Sequence, residues 1–167
     1  LCLCDALCRN TPLQTGKRPH LVAMDPFQHG SIWQGVGLEQ VRSAGFGDMV
    51  EFHERTSHAV LPELAAKEYR IQFAFIDGPH MFDQALIDFF YLDQMLESGG
   101  VIVFDDVGLQ SINAVVRFVL ANRDYVAPDD VQAVLPQTIA HRLTPVGDAG
   151  RGAVEQVRAM MAAVPLP

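Results

Sequence analysis

Two short apolar runs that end in acidic residues constrain the fold of this chain more than any other feature. The run FAFIDGPH occupies residues 73–80 and places Asp77 and His80 after its apolar part. The run VIVFDDV occupies residues 101–107 and leads into Asp105 and Asp106. Neither apolar part alternates with polar residues, which is typical of parallel strands that helices cover on both faces. A parallel sheet with carboxylates at the ends of two strands is therefore predicted.

Two more apolar runs complete a strand–helix alternation. The strand candidates are residues 21–24, 49–53, 71–76 and 101–104, and helical patterns separate them. This order predicts an α/β fold with a doubly wound, mostly parallel sheet. Ligands of such sheets bind beyond the carboxyl ends of the strands, so the residues that follow each strand are the candidates for function.

Start and stop signals bound the predicted helices, whose expected ranges are 38–45, 58–68, 81–98 and 112–124. Thr56 or Ser57 is expected to cap the second helix and Ser111 the fourth, while Gly99 and Gly100 are expected to end the third. Residues 131–135 and 138–143 are predicted to pair as a late hairpin. Residues 144–167 are predicted to form a Gly-rich loop and a terminal helix.

Length and charge limit the class of protein. At 167 residues, of which 49% are hydrophobic, the chain is long enough for one domain with a substantial core. The net charge of −8 argues against nucleic-acid and anionic-membrane partners, because phosphate binding needs clustered Lys and Arg. No apolar segment reaches the ~18 residues of a spanning helix, and no signal peptide is recognisable. We expect a soluble, cytoplasmic protein with a small-molecule ligand.

The cysteines lie together at Cys2, Cys4 and Cys8. On a helix Cys4 and Cys8 share a face and Cys2 does not, so the spacing does not converge on a metal. We therefore interpret all three as small buried hydrophobic residues, as a reducing cytosol would allow.

Asp25 follows the first strand candidate and precedes Pro26. A carboxylate at this position can accept hydrogen bonds from both hydroxyls of a nucleotide ribose. An aspartate before a proline is equally typical of a simple turn. The sequence alone leaves both roles open.

Asp77, Asp105 and Asp106 follow two strands that are expected to be neighbours. Carboxylates at one edge raise one another's pKa values unless a cation lies among them. Mg²⁺ binds oxygen ligands of this kind and keeps several waters. The pattern favours a metal site, and the alternative is a pair of Asp-rich turns in which one side chain caps the next helix.

His80 is expected on the first turn of the third helix. Near carboxylates that favour its protonated form, it is a candidate general base toward a hydroxyl. The alternative, favoured when His80 is considered alone, is a residue that bonds Asp77 and holds the loop. GVGLEQ from Gly35 lacks the third glycine of a phosphate loop and is predicted to open a helix, and Trp33 is predicted to pack. No GxSxG, Walker or HExxH motif is present.

The order of these motifs resembles that of the class I S-adenosylmethionine-dependent methyltransferases. The matching residues are DP at 25–26, IDGPH at 76–80 and SGGVIVFDDV at 98–107. They are most similar to the small-molecule O-methyltransferase-like group with an IDGxH motif. The resemblance covers roughly residues 2–125 and implies a Rossmann-like sheet within a single methyltransferase-like domain over 1–167.

The resemblance also implies the positions of the cofactor, S-adenosylmethionine. Asp25 would bind the ribose hydroxyls, and Thr56 and Ser57 would lie beside the adenine. Asp77 would lie near the methyl group.

The same resemblance implies how the reaction would be carried out. Asp77, Asp105 and Asp106 would bind Mg²⁺, and His80 would face the acceptor as a base, with Asp77 as a second catalytic residue. Asp106 replaces the asparagine of an Asp-Asn pair, which leaves open whether a metal is used.

The Gly-rich loop that follows the first strand in this family is absent from the sequence. LCLCDAL resembles the helix that comes after the loop, and Leu1 is not a methionine. We therefore expect the chain to be the later part of a longer protein, in which the N-terminal strand and the loop precede Leu1.

Two other classes of protein stay open. A non-catalytic nucleoside-binding or scaffold protein could retain the methyltransferase fold, as the missing loop and the second Asp would allow. A metal-dependent hydrolase could use the acidic edge, but its DxDx motif after a first strand is not found. The acceptor and the oligomeric state, a homodimer included, are left open.

Overall fold

The computed structural model describes residues 1–10, 19–126 and 139–142, the last range by its backbone alone. Five helices, α1 to α5, occupy Cys2–Asn10, Val36–Ser43, Ser57–Ala66, Phe82–Met95 and Gln110–Asn122. Five strands, β1 to β5, occupy Leu21–Met24, Val50–His53, Ile71–Ile76, Leu96–Phe104 and Ile139–Arg142. The described part of the chain thus alternates strands with helices, as predicted, and forms two compact units, Leu1–Val60 and a second that begins at Leu61.

In the first unit β1 and β2 pair in parallel, from Leu21 opposite Val50 to Met24 opposite His53. Strand β2 begins one residue later than predicted because Met49 closes a short 3₁₀ turn. Among the cysteines of α1, Cys4 is buried as predicted. Cys2 and Cys8 are exposed, so their predicted burial is wrong. Cys2 lies off the face of Cys4, whereas Cys8 shares that face but lies near the exposed end of the helix.

In the second unit β3 runs parallel to β4, which pairs in antiparallel fashion with β5. The two parallel strands are those of the acidic runs, so the prediction that they are neighbours is confirmed. Strand β5 falls within the second segment of the predicted hairpin, residues 138–143, and pairs with β4. The other hairpin segment, 131–135, and the predicted loop and helix at 144–167 lie outside the described residues.

The core of the second unit lies between the β3–β4 face and helices α4 and α5. Phe89 of α4 stacks on Phe104 of β4 and contacts the ring of Tyr125 edge-on, with centroids 6.3 and 5.3 Å apart. Burial of each such apolar side chain contributes about 1.5–3 kcal/mol. The remaining members of this cluster are mostly aliphatic, and include Ile76, Ile102, Val107, Ile112, Val115, Val116 and Val119.

Helix α4 ends earlier than we predicted from the positions of Gly99 and Gly100. It stops at Met95, and Leu96 is already extended and pairs with Ile71 of β3. Gly99 and Gly100 therefore lie inside β4, and the prediction that they end the helix is wrong. Pairing with β3 overrides the helical periodicity of residues 96–98, because sheet hydrogen bonds and burial together outweigh a weak local preference.

Helix α2 confirms two predictions about glycine. Gly35 is the N-cap residue with φ +75°, and Gly45 follows the C-cap with φ +82°, a left-handed conformation that glycine adopts without steric cost. The prediction that Trp33 packs is wrong, since its side chain is 59% exposed. Backbone hydrogen bonds close the loop that carries Trp33. Gly30 N–H donates to Phe27 O, and Gly35 N–H donates to Gln28 O.

Over the ranges described above, no helix combines the length and the apolar composition needed to cross a membrane.

Candidate active site

The acidic edge of the second unit is built by the register of β3 and β4. Ile76 lies opposite Phe104, the last residue of each strand, and Asp105 N donates to Ile76 O at 2.9 Å. Asp77 and Asp105 therefore follow adjacent ends of two parallel strands. The structure brings together the acidic residues that the sequence placed at one edge.

His80 lies against these carboxylates. Its Nε2 is 2.8 Å from Asp106 Oδ2 and 3.7 Å from Asp77 Oδ1. The first distance is that of a charge-assisted hydrogen bond, and the second is too long for one. The predicted bond of His80 to Asp77 is thus replaced by a bond to Asp106.

The backbone at both partners is unusual. His80 has φ +55° and Asp106 has φ +51°, left-handed values that cost a residue with a Cβ roughly 1 kcal/mol or more. His80 lies in the loop before Phe82, where α4 starts, and not on the first turn of the helix as predicted. Such conformations cluster at functional sites, where surrounding contacts hold them.

Contacts from the start of α5 hold these two residues. Ser111 Oγ donates to the carbonyl of His80 at 2.6 Å, and Leu109 N donates to the carbonyl of Asp106 at 2.8 Å. Asp106 N donates to Asp105 Oδ1 at 2.9 Å. The N-cap of α5 is Leu109, which makes no side-chain cap, so the predicted capping role of Ser111 is wrong. Its hydroxyl instead donates a hydrogen bond to the carbonyl of His80, 31 residues away in sequence.

Electrostatics at this edge follow from crowding. Partial burial raises the pKa of Asp77, and the negative charge of Asp105 raises it further. The imidazole of His80, 3.7 Å from Asp77 Oδ1, opposes this rise in the pKa because its interaction favours the carboxylate form of Asp77. Burial and the neighbouring carboxylates outweigh that interaction, so the pKa of Asp77 is raised.

Asp88 is a residue that the sequence reasoning missed. It lies on α4 and is only 6% exposed, and a Cβ placed on Gly78 would be 3.7 Å from its Oδ2. A buried carboxylate thus lies beneath the turn that joins Asp77 to His80. The signal in the sequence was an acidic residue between apolar neighbours, Ile87 and Phe89, at a position that faces the core.

The side chains of this edge do not form a metal site as they are arranged. Among the residues described, no group of three or more His, Cys, Asp and Glu side chains is placed to hold a metal ion. His80 lies where a cation between Asp77 and Asp106 would be expected. The assignment of Asp77, Asp105 and Asp106 as Mg²⁺ ligands stays a prediction.

The first unit carries the residues predicted to bind the cofactor. Asp25 follows β1, and its backbone N–H donates to His53 O of β2 at 3.1 Å. Its Oδ1 accepts the N–H of Phe27 at 2.8 Å, so the turn-forming role of Asp25 is realised by this one oxygen. Ser57 begins α3 after β2, and Thr56 Oγ1 lies 3.2 Å from His58 Nε2. All three lie beyond the carboxyl ends of a parallel strand pair.

A second feature missed by sequence reasoning joins the two loops that follow β1 and β2. Glu54 accepts two bonds from His29, one from its backbone N–H and one at Nδ1, both at 2.9 Å. These bonds lower the pKa of Glu54, the backbone donor most of all. A Cβ on Gly35 would lie 3.1 Å from the His29 ring, which explains a glycine there. Neither His29 nor Glu54 belongs to a recognisable motif.

One family model matches the chain over most of its length. It is described as a methyltransferase domain and matches residues 1–107, which contain the acidic edge and the residues after β1 and β2. A second model, described as an AAA lid domain, matches residues 107–162. A search of curated proteins found no significant match.

Two solved O-methyltransferases share the fold. The enzyme from Bacillus cereus, solved in complex with SAH, is 15% identical, with a TM-score of 0.62 over 77% of this chain and 64% of its own. CalS11, a TDP-rhamnose 3′-O-methyltransferase of calicheamicin biosynthesis solved without ligand, is 18% identical, with a TM-score of 0.63 over 83% and 64%. This chain thus spans 64% of the length of each.

These likenesses show the α/β fold of the class I methyltransferases, which the order of strands, helices and acidic strand ends predicted. The family match covers well over half of the chain, residues 1–107. The chain belongs to the methyltransferase-domain family.

Proposed function

We propose that this protein transfers a methyl group from S-adenosylmethionine to a hydroxyl of a small molecule, with His80 as the general base. The observation that carries the proposal is the His80–Asp106 pair, joined at 2.8 Å at the ends of β3 and β4. Membership of the methyltransferase-domain family and the fold shared with two O-methyltransferases support it.

The proposed base is one nitrogen of His80. An imidazole that donates its Nε2–H to Asp106 keeps a lone pair on Nδ1, which can accept a proton. Asp106 then holds the ring in that tautomer and balances the imidazolium that forms, as the carboxylate does in other acid–histidine pairs. His80 Nδ1 is thus the atom proposed to take the hydroxyl proton of the acceptor.

The residues after β1 and β2 are proposed to bind the cofactor. Asp25 uses Oδ1 for its own turn, so ribose binding falls to Oδ2. Thr56 and Ser57 are proposed to lie beside the adenine, and Asp77 near the methyl group. When bound, S-adenosylmethionine supplies an electrophilic methyl group that an aligned oxygen can attack, provided that a base takes the proton.

Replacement of His80 tests the proposal. We expect His80→Gln to lower kcat about 10²–10⁴-fold, the usual contribution of a general base, without a change in the dissociation constant of S-adenosylmethionine. Turnover is measured as release of S-adenosylhomocysteine with a panel of phenols, catechols and nucleotide-sugar hydroxyls, and binding by calorimetry. His20→Gln changes an exposed histidine of the first unit and is the control, with wild-type turnover expected.

Two outcomes would contradict the proposal. Wild-type turnover of His80→Gln would remove the base role of His80. Failure of the protein to bind S-adenosylmethionine at all would favour a scaffold that retains the fold. The same assay with EDTA and with added Mg²⁺ tests the metal, since loss on chelation and recovery with Mg²⁺ would support a site at Asp77, Asp105 and Asp106.

The remaining assignments also stay proposals. A small-molecule acceptor, and not a nucleic acid or a membrane, is supported by the net charge of −8. Cytoplasmic location and a homodimeric state are predictions that the assays above leave aside.

A further inference from the structure

We infer that Ser111 is a positioning residue for the proposed base: its hydroxyl bond to the His80 carbonyl holds the left-handed backbone that sets the imidazole against Asp106. This inference rests on the proposed function for its effect on turnover. Its structural part, the control of the His80 ring by Ser111, can be tested without any activity.

The bond itself is short and long-range. Ser111 Oγ lies 2.6 Å from the His80 carbonyl oxygen, within the usual range for a hydroxyl donor. It joins the loop after β3 to the first turn of α5, two segments separated by 31 residues.

The conformation of His80 requires such a contact. With φ +55°, His80 adopts a conformation that a residue with a Cβ avoids unless its surroundings hold it. Relaxation to a negative φ would rotate the peptide and move the Cα–Cβ bond, so the ring would leave its place 2.8 Å from Asp106. A bond to the carbonyl of His80 acts on the peptide plane that such a rotation must turn.

The other partner of the pair is held from the same helix end. Asp106 is left-handed too, with φ +51°, and its carbonyl accepts the N–H of Leu109. The carbonyls of both strained residues are therefore bound by neighbouring positions, 109 and 111, at the start of α5. This arrangement fixes the geometry of the acid–histidine pair from one rigid element.

The hydroxyl of Ser111 does not cap helix α5. Helix α5 begins without a side-chain cap, and its N-cap residue is Leu109. Loss of the hydroxyl should therefore leave the helix intact, because alanine is a better helix former than serine. Ser111→Ala thus separates an effect on His80 from an effect on α5.

The test compares three variants by two measurements. Ser111→Ala removes the hydroxyl, Ser111→Thr keeps it, and Ser98→Ala changes an exposed serine of the same unit as the matched control. The first measurement is the ¹⁵N and ¹H spectrum of the histidine rings, with the His80 signals assigned from His80→Gln. The second is the kcat of methyl transfer, together with the KM for S-adenosylmethionine.

We expect Ser111→Ala to shift the His80 ring signals and to lower kcat roughly ten- to a hundredfold, as misplacement of a catalytic group does, with KM and melting temperature unchanged. Ser111→Thr should restore both the signals and kcat, and Ser98→Ala should change neither. Unchanged His80 signals in Ser111→Ala would overturn the inference, as would a Ser111→Thr variant that behaves like Ser111→Ala. Shifted signals with wild-type kcat would uphold the positioning of His80 and instead count against its proposed role as base.

Discussion

At the scale of single residues, charge and backbone conformation coincide at the acidic edge. His80 and Asp106 combine a 2.8 Å hydrogen bond with two left-handed backbones, and Asp77 lies beside them with its carboxyl pKa raised. A chain under selection for stability alone would place glycine or asparagine at such φ values and would disperse the carboxylates. The proposed chemistry gives a reason for strain and repulsion to coincide at the ends of β3 and β4.

The raised pKa of Asp77 predicts a pH dependence of stability. Below its unfolded pKa, Asp77 is protonated in both states and contributes nothing. As the pH rises from the unfolded pKa through the raised folded pKa, ionisation is less favourable in the folded state than in the unfolded state, so stability is lost. We expect Asp77→Asn to gain stability relative to wild type as the pH rises from about 4, near the unfolded pKa, until the gain levels off above the folded pKa, measured as the free energy of unfolding in urea.

Asp48→Asn is a suitable control for that comparison, since Asp48 lies in the 3₁₀ turn of the first unit. Parallel pH profiles of Asp77→Asn and wild type would show that Asp77 is not destabilised by its neighbours. If Asp77→Asn instead loses stability relative to wild type as the pH rises, the interaction of Asp77 with His80 outweighs the destabilising effects of burial and of Asp105.

At the scale of elements, two adjacent glycines of β4, Gly99 and Gly100, are required for different reasons. Gly99 has φ +86° and no atom within 4 Å of an added Cβ. Gly100 has no such φ, but an added Cβ would lie 2.7 Å from Leu96 Cγ and 2.9 Å from the Glu97 carbonyl. Gly99 is thus needed for conformation and Gly100 for space, and both lie in the part of β4 where the register with β3 shifts, between Leu96 and Val101.

This difference predicts distinct mutant behaviour. Gly99→Ala should cost about 1–2 kcal/mol of stability through backbone strain, and Gly100→Ala about 1–3 kcal/mol through overpacking. Adding Leu96→Ala should recover part of the loss in Gly100→Ala, because one of the two clashing groups is removed, and should recover none in Gly99→Ala. The double-mutant cycles are measured by urea unfolding. Additive losses in both cycles would refute the steric account of Gly100.

At the scale of the whole molecule, the residues assigned to the cofactor and to the base belong to different compact units. Asp25, Thr56 and Ser57 lie in Leu1–Val60, and the His80–Asp106 pair lies in the unit that begins at Leu61. The two assignments can therefore be tested separately, each within its own unit.

Hydrogen exchange tests the cofactor assignment in the first unit. We expect saturating S-adenosylmethionine to slow amide exchange in peptides that contain residues 25–28 and 54–58, because binding to the folded state suppresses opening. A ligand present at about 100 times its dissociation constant should add about 2.7 kcal/mol to the opening free energy. Peptides within α5 beyond its first turn serve as the internal control. Protection confined to segments other than these would refute the assigned cofactor site.

Much of the site was predictable because it depends on strand order. The acidic residues after β3 and β4 could be placed at one edge since the carboxyl ends of neighbouring parallel strands meet there. His80 was recognised by its spacing from Asp77, but its partner was not, because Asp106 lies on the next strand end. Asp88 and Glu54 were missed because an isolated carboxylate gives no pattern until its neighbours in space are known.

The sequence by itself determined the alternation of strands and helices, the acidic strand ends and the methyltransferase family, because burial periodicity and short motifs are local properties of a chain. The tertiary structure decided which of these residues act on one another. The end of α4 at Met95 depends on a pairing with β3, and the role of Ser111 depends on a loop 31 residues away. Contacts of this kind arise only when distant segments are packed together, so no local pattern could encode the His80 conformation or the carboxylate that it binds.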